Sequence, residues 1–506
     1  MNSIKNGEKM NIIKSNFLVA LVLIPILGCG SSLMASEAQE RPKNVILMLI
    51  DDMGYGDLGV HGNPVIKTPN MDALHNGSAR FTNFAVSLTC APTRAALMTG
   101  RHEFKSDVIH TIGGMNILNK DATTIADLFQ RKGFVTGLFG KWHLAKNSPT
   151  DENGPWSRGF DETLTVAWDN QGRQFDPKML KNREATQFKG YRTDILFDEA
   201  MTFIENNKDK PFFCYLPTYS PHAPLNVPEK YSQPYKDLGT LNEKEAKFCG
   251  MVANVDENVG RLMSRLESLK LAENTLVILI NDNGATYGLE IWNAGMRGAK
   301  GTAWRGGTRA LSFWKCGNLY PAGDRGQMTG HVDVFSTLAD LFNLDIDEKL
   351  AAKLDGDSLQ PLLKDATATL AGERMQVYHK GRWGPRSNWK THKYAHCSVR
   401  WKSYQLVRIE PCEDPSCCKN LRLRASGKRR PIYTANKEHY QRTKMGQWEL
   451  YNIEDDPYQN RDLANEKPEV VTQMTQFYEA WWEDLAPTLE AAAAKDAAKA
   501  AAKGKK

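Results

Sequence analysis

Two short stretches gather oxygen donors in a pattern that could hold a metal ion. "IDDMGYGD" sets Asp51 and Asp52 side by side, and "NDNG" adds Asp282 and Asn283. Hard oxygen ligands select Ca²⁺ or Mg²⁺ over zinc or copper. Adjacent carboxylates without a cation repel one another strongly. Taken alone, "NDNG" also reads as a tight turn, since Asn-Gly favours turns; beside "IDDMGYGD" the metal reading is the stronger.

A second group supplies positive charge and protons. Lys141 and His143 stand in "GKWHL", His222 in "SPHAP" and Lys300 in "RGAKG". Together with Arg94 and a metal ion they would ring a small volume with positive charge. Such a cage binds a tetrahedral oxyanion and stabilises the charge that builds as a bond breaks. "TCAPTRAALMTGR" puts Cys90 at the mouth of a helix. Pro92 suits a first helical turn, Ala95 to Met98 are good helix formers, and Arg94 lies one turn on. A helix N-terminus stabilises an anion and lowers a thiol's pKa. From that stretch alone, a buried structural cysteine is an equal reading.

These groups need elements to bring them together. "NVILMLI" (44–50), "FVTGLFG" (134–140), "PFFCYLP" (211–217) and "NTLVILI" (274–280) are short apolar runs. Each is followed, directly or within a few residues, by one of the clusters above. Helical stretches such as "TTIADLFQRKG" and "FCGMVANVDENVGRLMSRLESL" intervene. This alternation predicts an α/β fold, a large mostly parallel sheet sandwiched by helices. Ligands bind outside the carboxyl ends of such strands, so four strand ends would deliver their clusters to one rim. After about residue 365 the texture changes. "CSVRWKSYQLVRI" and "QWELYNI" read as antiparallel strands, and "EVVTQMTQFYEAWWEDL" as a closing helix. The expected organisation is a signal peptide over 1–38, a catalytic domain over 41–365, a smaller C-terminal α+β subdomain on an antiparallel sheet over 370–485, and a disordered Ala/Lys-rich tail over 486–506.

The bulk numbers agree. A chain of 506 residues, 41% hydrophobic, suffices for one large domain and a smaller one. Half of the net charge of +6 sits in the tail from Leu485, with five lysines and two acidic residues. No basic stripe with interleaved aromatics appears elsewhere, which argues against nucleic acid as a partner. Lys5, Lys9 and Lys14 precede the apolar run "FLVALVLIPIL", too short for a comfortable membrane span, so the N-terminus reads as an export signal. "ILGC" would make Cys29 a lipidated residue, and "SEA" ending at Ala38 suits ordinary cleavage. Bulky Leu27 tips the choice toward ordinary secretion. The protein is expected in the periplasm or outside the cell, with lipid on Cys29 as its one route to a membrane. Of nine cysteines, Cys214, Cys249 and Cys316 read as core thiols. Cys397, Cys412, Cys417 and Cys418 cluster, and in an exported protein favour at least one disulfide over a zinc site.

Together these stretches resemble the type I sulfatases of the alkaline-phosphatase-like superfamily, here of the bacterial exported kind. "CAPTR" at 90–94 matches the family's Cys-x-Pro-x-Arg signature, and "LMTGR" continues it. "LIDDMGYGDLG", "TPNMDAL", "GKWHL", "PHAP", "NDNG", "GAKGTAWRGGTR", "HVDVFSTLADL", "LDGDSLQPLL" and "ELYNIEDDPYQNRDLAN" match further blocks in order, over roughly residues 41 to 485. The resemblance implies that a formylglycine-generating or maturase enzyme oxidises Cys90 to Cα-formylglycine, whose hydrate attacks sulfur as an activated nucleophile. It implies Ca²⁺, with Mg²⁺ as the alternative, held by Asp51, Asp52, Asp282, Asn283 and residue 90. Arg94 would hold the formylglycine hydroxyl; Lys141, His143 and Lys300 would bind sulfate. His143 would be the base that regenerates the aldehyde, and His222 the acid that protonates the leaving oxygen.

Two positions depart from the family pattern. Ala299 stands where Gly is common, and Arg305 where Glu is common; the latter signals either altered packing or recognition of an anionic polymer. The loops after Arg101 and Phe160 are expected to wall the pocket, with His102, His110, Trp168 and Asp169 as candidate sugar contacts beside ordinary loop packing. The implied substrate is a sulfated polysaccharide or its oligosaccharides. A phosphodiester or phosphonate-ester hydrolase on the same fold, and a silent glycan-binding protein, are the alternatives.

Overall fold

The strand Asn44–Asp51 is buried along its whole length, and it organises the molecule. It pairs in parallel with Phe212–Pro221 on one side and Thr275–Asn281 on the other. The computed structural model describes residues 41–146, 148–166, 172–383, 388–410 and 442–503. The export segment with Cys29, together with Trp168, Asp169, Cys412, Cys417 and Cys418, lies outside the described residues.

From one edge the ten-stranded sheet runs Gly323–Arg325, Ala79–Phe81, Ser312–Lys315, Thr275–Asn281, Asn44–Asp51, Phe212–Pro221, Val135–Phe139, Glu162–Thr165, Lys178–Lys181, Glu184–Gln187. The five strands from Thr275–Asn281 to Glu162–Thr165 are all parallel. Ser312–Lys315 pairs antiparallel with both its neighbours, and so does Lys178–Lys181. The apolar runs read as buried parallel strands are thus the sheet's centre, and the short antiparallel strands are additions toward its edges.

Period-two alternation divides the first strand between two cores. Val45, Leu47 and Leu49 pack with Ala91, Ala95, Leu97 and Met98 of helix Cys90–Thr99 and with Val334, Phe335 and Leu338 of helix Val332–Leu341. Ile46, Met48 and Ile50 pack on the other face with helices Arg192–Asn206 and Glu243–Ser268. Each fully buried Ile, Leu or Met contributes about 1.5–3 kcal/mol relative to exposure. Helix starts follow the capping rules: Thr124 and Asp127 form a capping box before Ile125–Arg131, and Asn242 and Glu245 another before Glu243–Ser268.

The second sheet is antiparallel, Met375–His379, Cys397–Trp401, Tyr404–Arg408, Trp448–Asn452 in that order. The described residues from 41 onward form one compact unit. The antiparallel sheet packs on the rest of the fold through a core in which Tyr378, Val407 and Tyr451 meet Leu88, Ala303, Trp304 and Ala85, the last from a separate two-stranded parallel sheet. One expectation changes here, and a second is narrowed to Cys397 alone, since Cys412, Cys417 and Cys418 lie outside the described residues. The last helix spans Pro468–Lys503, well into the tail read as disordered. Alanine is the strongest helix former, and Leu485 and Leu489, one turn apart, bury against Phe104, Trp383 and Trp482. Cys397 is a free buried thiol whose Sγ lies 3.8 Å from the Arg408 carbonyl oxygen. Cys214, Cys249 and Cys316 are free and buried, as core thiols should be.

Candidate active site

Strand ends converge on one buried cluster. Asp51 closes the first strand and Asp52 follows it in a left-handed conformation, φ 65°. A non-glycine residue there carries strain that its surroundings must hold. The Asp52 N–H donates to Asp282 Oδ1 at 3.1 Å, and Thr286 Oγ1 donates to its carbonyl at 2.8 Å. Asp282 and Asn283 follow the strand Thr275–Asn281. After the strand Val135–Phe139 the chain passes Gly140, at φ 143°, where a Cβ would lie 1.8 Å from the Pro217 carbonyl oxygen. Only glycine lets the backbone pass so close, and Lys141 emerges into the cluster.

Cations and carboxylates interleave there. Lys141 Nζ donates to Asp51 Oδ2 at 2.7 Å. Arg94, one turn after Cys90 and fully buried, donates from Nη2 to Asp282 Oδ2 at 2.7 Å and to Asp51 Oδ1 at 3.4 Å, and from Nη1 to the Lys141 carbonyl at 2.7 Å. Lys300 Nζ donates to Asp52 Oδ1. His222 Nε2 lies 3.6 Å from Asp52 Oδ2, and its side chain is 40% exposed, the most open of the candidate residues.

Cys90 is the first residue of helix Cys90–Thr99, and its Sγ lies 3.4 Å from His143 Nδ1. His143 has φ 60°, a second strained backbone in the cluster. Its Nε2 lies 2.9 Å from the Thr111 carbonyl oxygen, which can only accept. That puts the ring proton on Nε2 and turns the Nδ1 lone pair to residue 90.

Burial resists charge on every one of these groups, and local partners decide the outcome. Burial works against Asp51, yet Lys141, His222 and Arg94 hold its carboxyl well below the usual range. Asp52 is also lowered against burial, chiefly by Lys300. Burial and the neighbouring Asp51 push Asp282 well up. Lys141 and Lys300 overcome burial to lower the Cys90 thiol. Burial, then Lys141 and Arg94, drive His143 well below the ordinary imidazole value, so it is neutral.

The carboxylate oxygens of Asp51 and Asp282 and the Cys90 Sγ all lie within 4.8 Å of one another, close enough to share a metal ion. The donor set suits a hard divalent cation. Asn283 Oδ1 is a buried acceptor without a hydrogen-bond partner, while its Nδ2 donates to Asp52 Oδ1 at 3.0 Å. A carboxylate forced toward its protonated form, as Asp282 is, marks a cluster short of positive charge, which a divalent ion would supply.

A family model described as Sulfatase matches residues 43–344. The chain belongs to the sulfatase family. Its members are sulfuric ester hydrolases. The chain is 30% identical over 376 residues to an uncharacterised sulfatase, YdeN, of Escherichia coli strain K12, covering 64% of this chain and 66% of that protein. It is 30% identical over 370 residues to human N-acetylgalactosamine-6-sulfatase, covering 65% and 67%. It thus spans about two thirds of the length of each. In fold it is similar to the crystal structure of Ps i-CgsB in complex with k-i-k-neocarrahexaose, TM-score 0.72 and 24% identity, over 87% of this chain and 92% of that one. The alkaline-phosphatase-like architecture read from the sequence is therefore the sulfatase fold.

Every sulfatase candidate residue at the four strand ends and in the signature falls in this cluster. Three rim readings turn out differently or more narrowly. His102 is buried, its Nδ1 accepting from the Phe104 N–H at 3.3 Å and its ring edge-on to Phe104 and Trp481, so it packs and does not face a sugar. Arg305 is a packing residue: its side chain donates to the Ile453 carbonyl, and burial, then Arg309 and Arg400, lower it to about 9. His110 is half-buried, and its Nδ1 accepts from the Thr111 N–H at 2.6 Å. No motif or spacing points to Thr111, Asn116 or Thr286, which hold His143 and Asp52. Thr111 acts through its backbone carbonyl, which any residue type supplies.

Proposed function

We propose that the protein hydrolyses sulfate esters of a sulfated carbohydrate outside the cytoplasm, with Cys90 converted to Cα-formylglycine and Ca²⁺ at Asp51, Asp52, Asp282, Asn283 and residue 90. The observation that carries this reading is the grouping of Cys90, Asp51 and Asp282 within 4.8 Å, with His143 Nδ1 3.4 Å from the sulfur. The formylglycine hydrate would supply the nucleophilic oxygen, and the cation would offset charge on it and on the sulfuryl oxygens.

The chain's own residues do the rest. Lys141 and Lys300 bind the sulfate and balance the charge that grows on it. Arg94 keeps Asp51 and Asp282 in register with the helix that carries residue 90. His143, neutral and with its Nδ1 lone pair turned to residue 90, accepts the proton that must leave that residue. His222, at the open side, gives a proton to the departing alcohol oxygen, without which an alkoxide leaves poorly. An exported carbohydrate substrate is supported by the export-like N-terminus and by the oligosaccharide seen in Ps i-CgsB.

The test is a comparison of catalytic efficiency on aryl sulfate, aryl phosphodiester and sulfated oligosaccharides, with mass spectrometry of the residue 90 peptide. Preference for the phosphodiester with an unmodified Cys90 would replace this reading with phosphoester hydrolysis.

A further inference from the structure

The loop that steadies His143 also carries a histidine that the chemistry above does not use. His110 Nδ1 accepts from the backbone N–H of Thr111 at 2.6 Å and of Ile112 at 3.2 Å. A ring nitrogen that accepts from two backbone donors carries no proton, so the proton sits on Nε2. The next residue, Thr111, offers the carbonyl to which His143 Nε2 donates at 2.9 Å, so His110 adjoins the backbone group that orients His143. It is half-buried, and Ile112 two residues on is 53% exposed, so the loop reaches the surface.

The C-terminal subdomain presses a cationic turn onto this loop. The Arg382 N–H donates to the Ile109 carbonyl at 2.9 Å, and a Cβ on Gly381 would lie 1.6 Å from that oxygen. The backbones therefore meet at a point that only glycine permits. Among the described residues, the charges that act most on His110 are those of Arg382 and Lys380. Burial, then Arg382 and Lys380, lower His110 to about 4, so at neutral pH it is an uncharged N–H donor in the positive field of those two side chains. A field of that sign attracts an anion, and a tautomer fixed by two backbone bonds gives it a directed partner.

We propose that His110 is a specificity-determining residue, its Nε2–H binding an anionic oxygen, a second sulfate or a carboxylate, on the sugar that carries the scissile sulfate. The proposal rests on the sulfatase reading and deepens it: the substrate is a sugar with at least two negative groups. Lys380 and Arg382 supply the field, and His110 the directed bond.

The test uses the purified full-length protein and 4-nitrophenyl sulfate alongside sulfated disaccharides, matched in pairs that differ by one further sulfate or one uronate carboxylate. His110→Asn keeps a side-chain acceptor for the Thr111 and Ile112 N–H groups and withdraws the distal donor. The wild type should prefer the more anionic member of at least one pair. His110→Asn should lose about ten- to a hundredfold in kcat/KM on that member while nitrophenyl sulfate hydrolysis stays within about twofold. Lys380→Gln should narrow the same preference. Which pair responds tells sulfate from carboxylate. A wild type that hydrolyses nitrophenyl sulfate but gains nothing from any second anion overturns the proposal. So does an equal loss for His110→Asn on all substrates, which would mean that it acts through Thr111 and His143. A wild type inactive on every sulfate ester strikes the sulfatase reading itself, a result seen without any variant.

Discussion

The guanidinium of Arg94 donates to the Asp282 carboxylate at 2.7 Å with both side chains shut off from solvent. Asp282 also shares a 4.8 Å neighbourhood with Asp51 and Cys90. Burial and the Asp51 charge push it toward protonation despite Arg94. One guanidinium does not satisfy this cluster, and a divalent cation would. Chelation should therefore abolish activity and Ca²⁺ should restore it. Asp282→Asn, which keeps the shape and removes the charge, should lose at least about a hundredfold with no rescue at ordinary Ca²⁺. Full turnover in a chelator, with metal analysis showing an empty protein, would rule the metal out.

Cys90→Ala should fold and lose essentially all sulfate-ester hydrolysis. The residue begins a helix whose other positions are buried, and alanine suits that helix, so circular dichroism and melting should change little. Cys90→Ser keeps an oxygen at the same place and should be inactive wherever the maturing enzyme accepts only cysteine. Near wild-type turnover by Cys90→Ala would end the proposed mechanism.

The central strands are legible in the sequence because a parallel strand covered on both faces must be apolar throughout, as "NVILMLI" is. Asp51, Asp52, Asp282 and Asn283 are legible because they come directly after such strands. The hairpin Lys178–Lys181 and Glu184–Gln187 is not, since an edge position leaves mixed polarity and no clear period. Lys300 is marked by its motif alone; what brings it to Asp52 is a long segment in which only short turns of helix appear. His102 looks like a sugar contact because a loop histidine is usually open, and only the packing of Trp481 from the last helix shows otherwise. The tail looks unable to dock because its Ala/Lys-rich sequence has no apolar face, whereas in the fold Leu489, one turn after Leu485, meets a pocket of aromatic rings.

Asp57 offers a pH test away from the reaction. It is buried, its Oδ2 accepts from the Gly54 N–H at 2.6 Å, and its Oδ1 has no hydrogen-bond partner. Burial raises its carboxyl to about 7, against the Gly54 hydrogen bond. The folded state thus holds a proton that the unfolded chain releases near pH 4. By linkage, this contribution is full below about pH 4 and is lost as the pH rises through 7. Its upper limit is about 4 kcal/mol. Asp57→Asn keeps an acceptor for Gly54 and cannot ionise, so its melting temperature should exceed the wild type's at pH 8 and converge with it toward pH 4. A difference that is constant across that range would show that Asp57 does not titrate there.

The two histidines should fail in different ways. His222 is the more exposed and lies on the Asp52 side, where a leaving group can reach it. If it protonates the leaving oxygen, His222→Ala should slow alkyl and sugar sulfates by about a hundred- to ten-thousandfold and spare nitrophenyl sulfate, whose phenolate departs without help. His143 faces residue 90 itself, with its Nδ1 lone pair turned to it. Its loss should leave the first alcohol release intact and stall the release of sulfate from residue 90. His143→Ala should then release about one equivalent of alcohol in a burst, after which turnover is slow and insensitive to the leaving group. Rapid-quench kinetics with a nitrophenyl and a sugar sulfate on both variants would check the pair. Equal losses for His222→Ala on the two substrates, or the absence of a burst in His143→Ala, would reassign these roles and leave the family membership untouched.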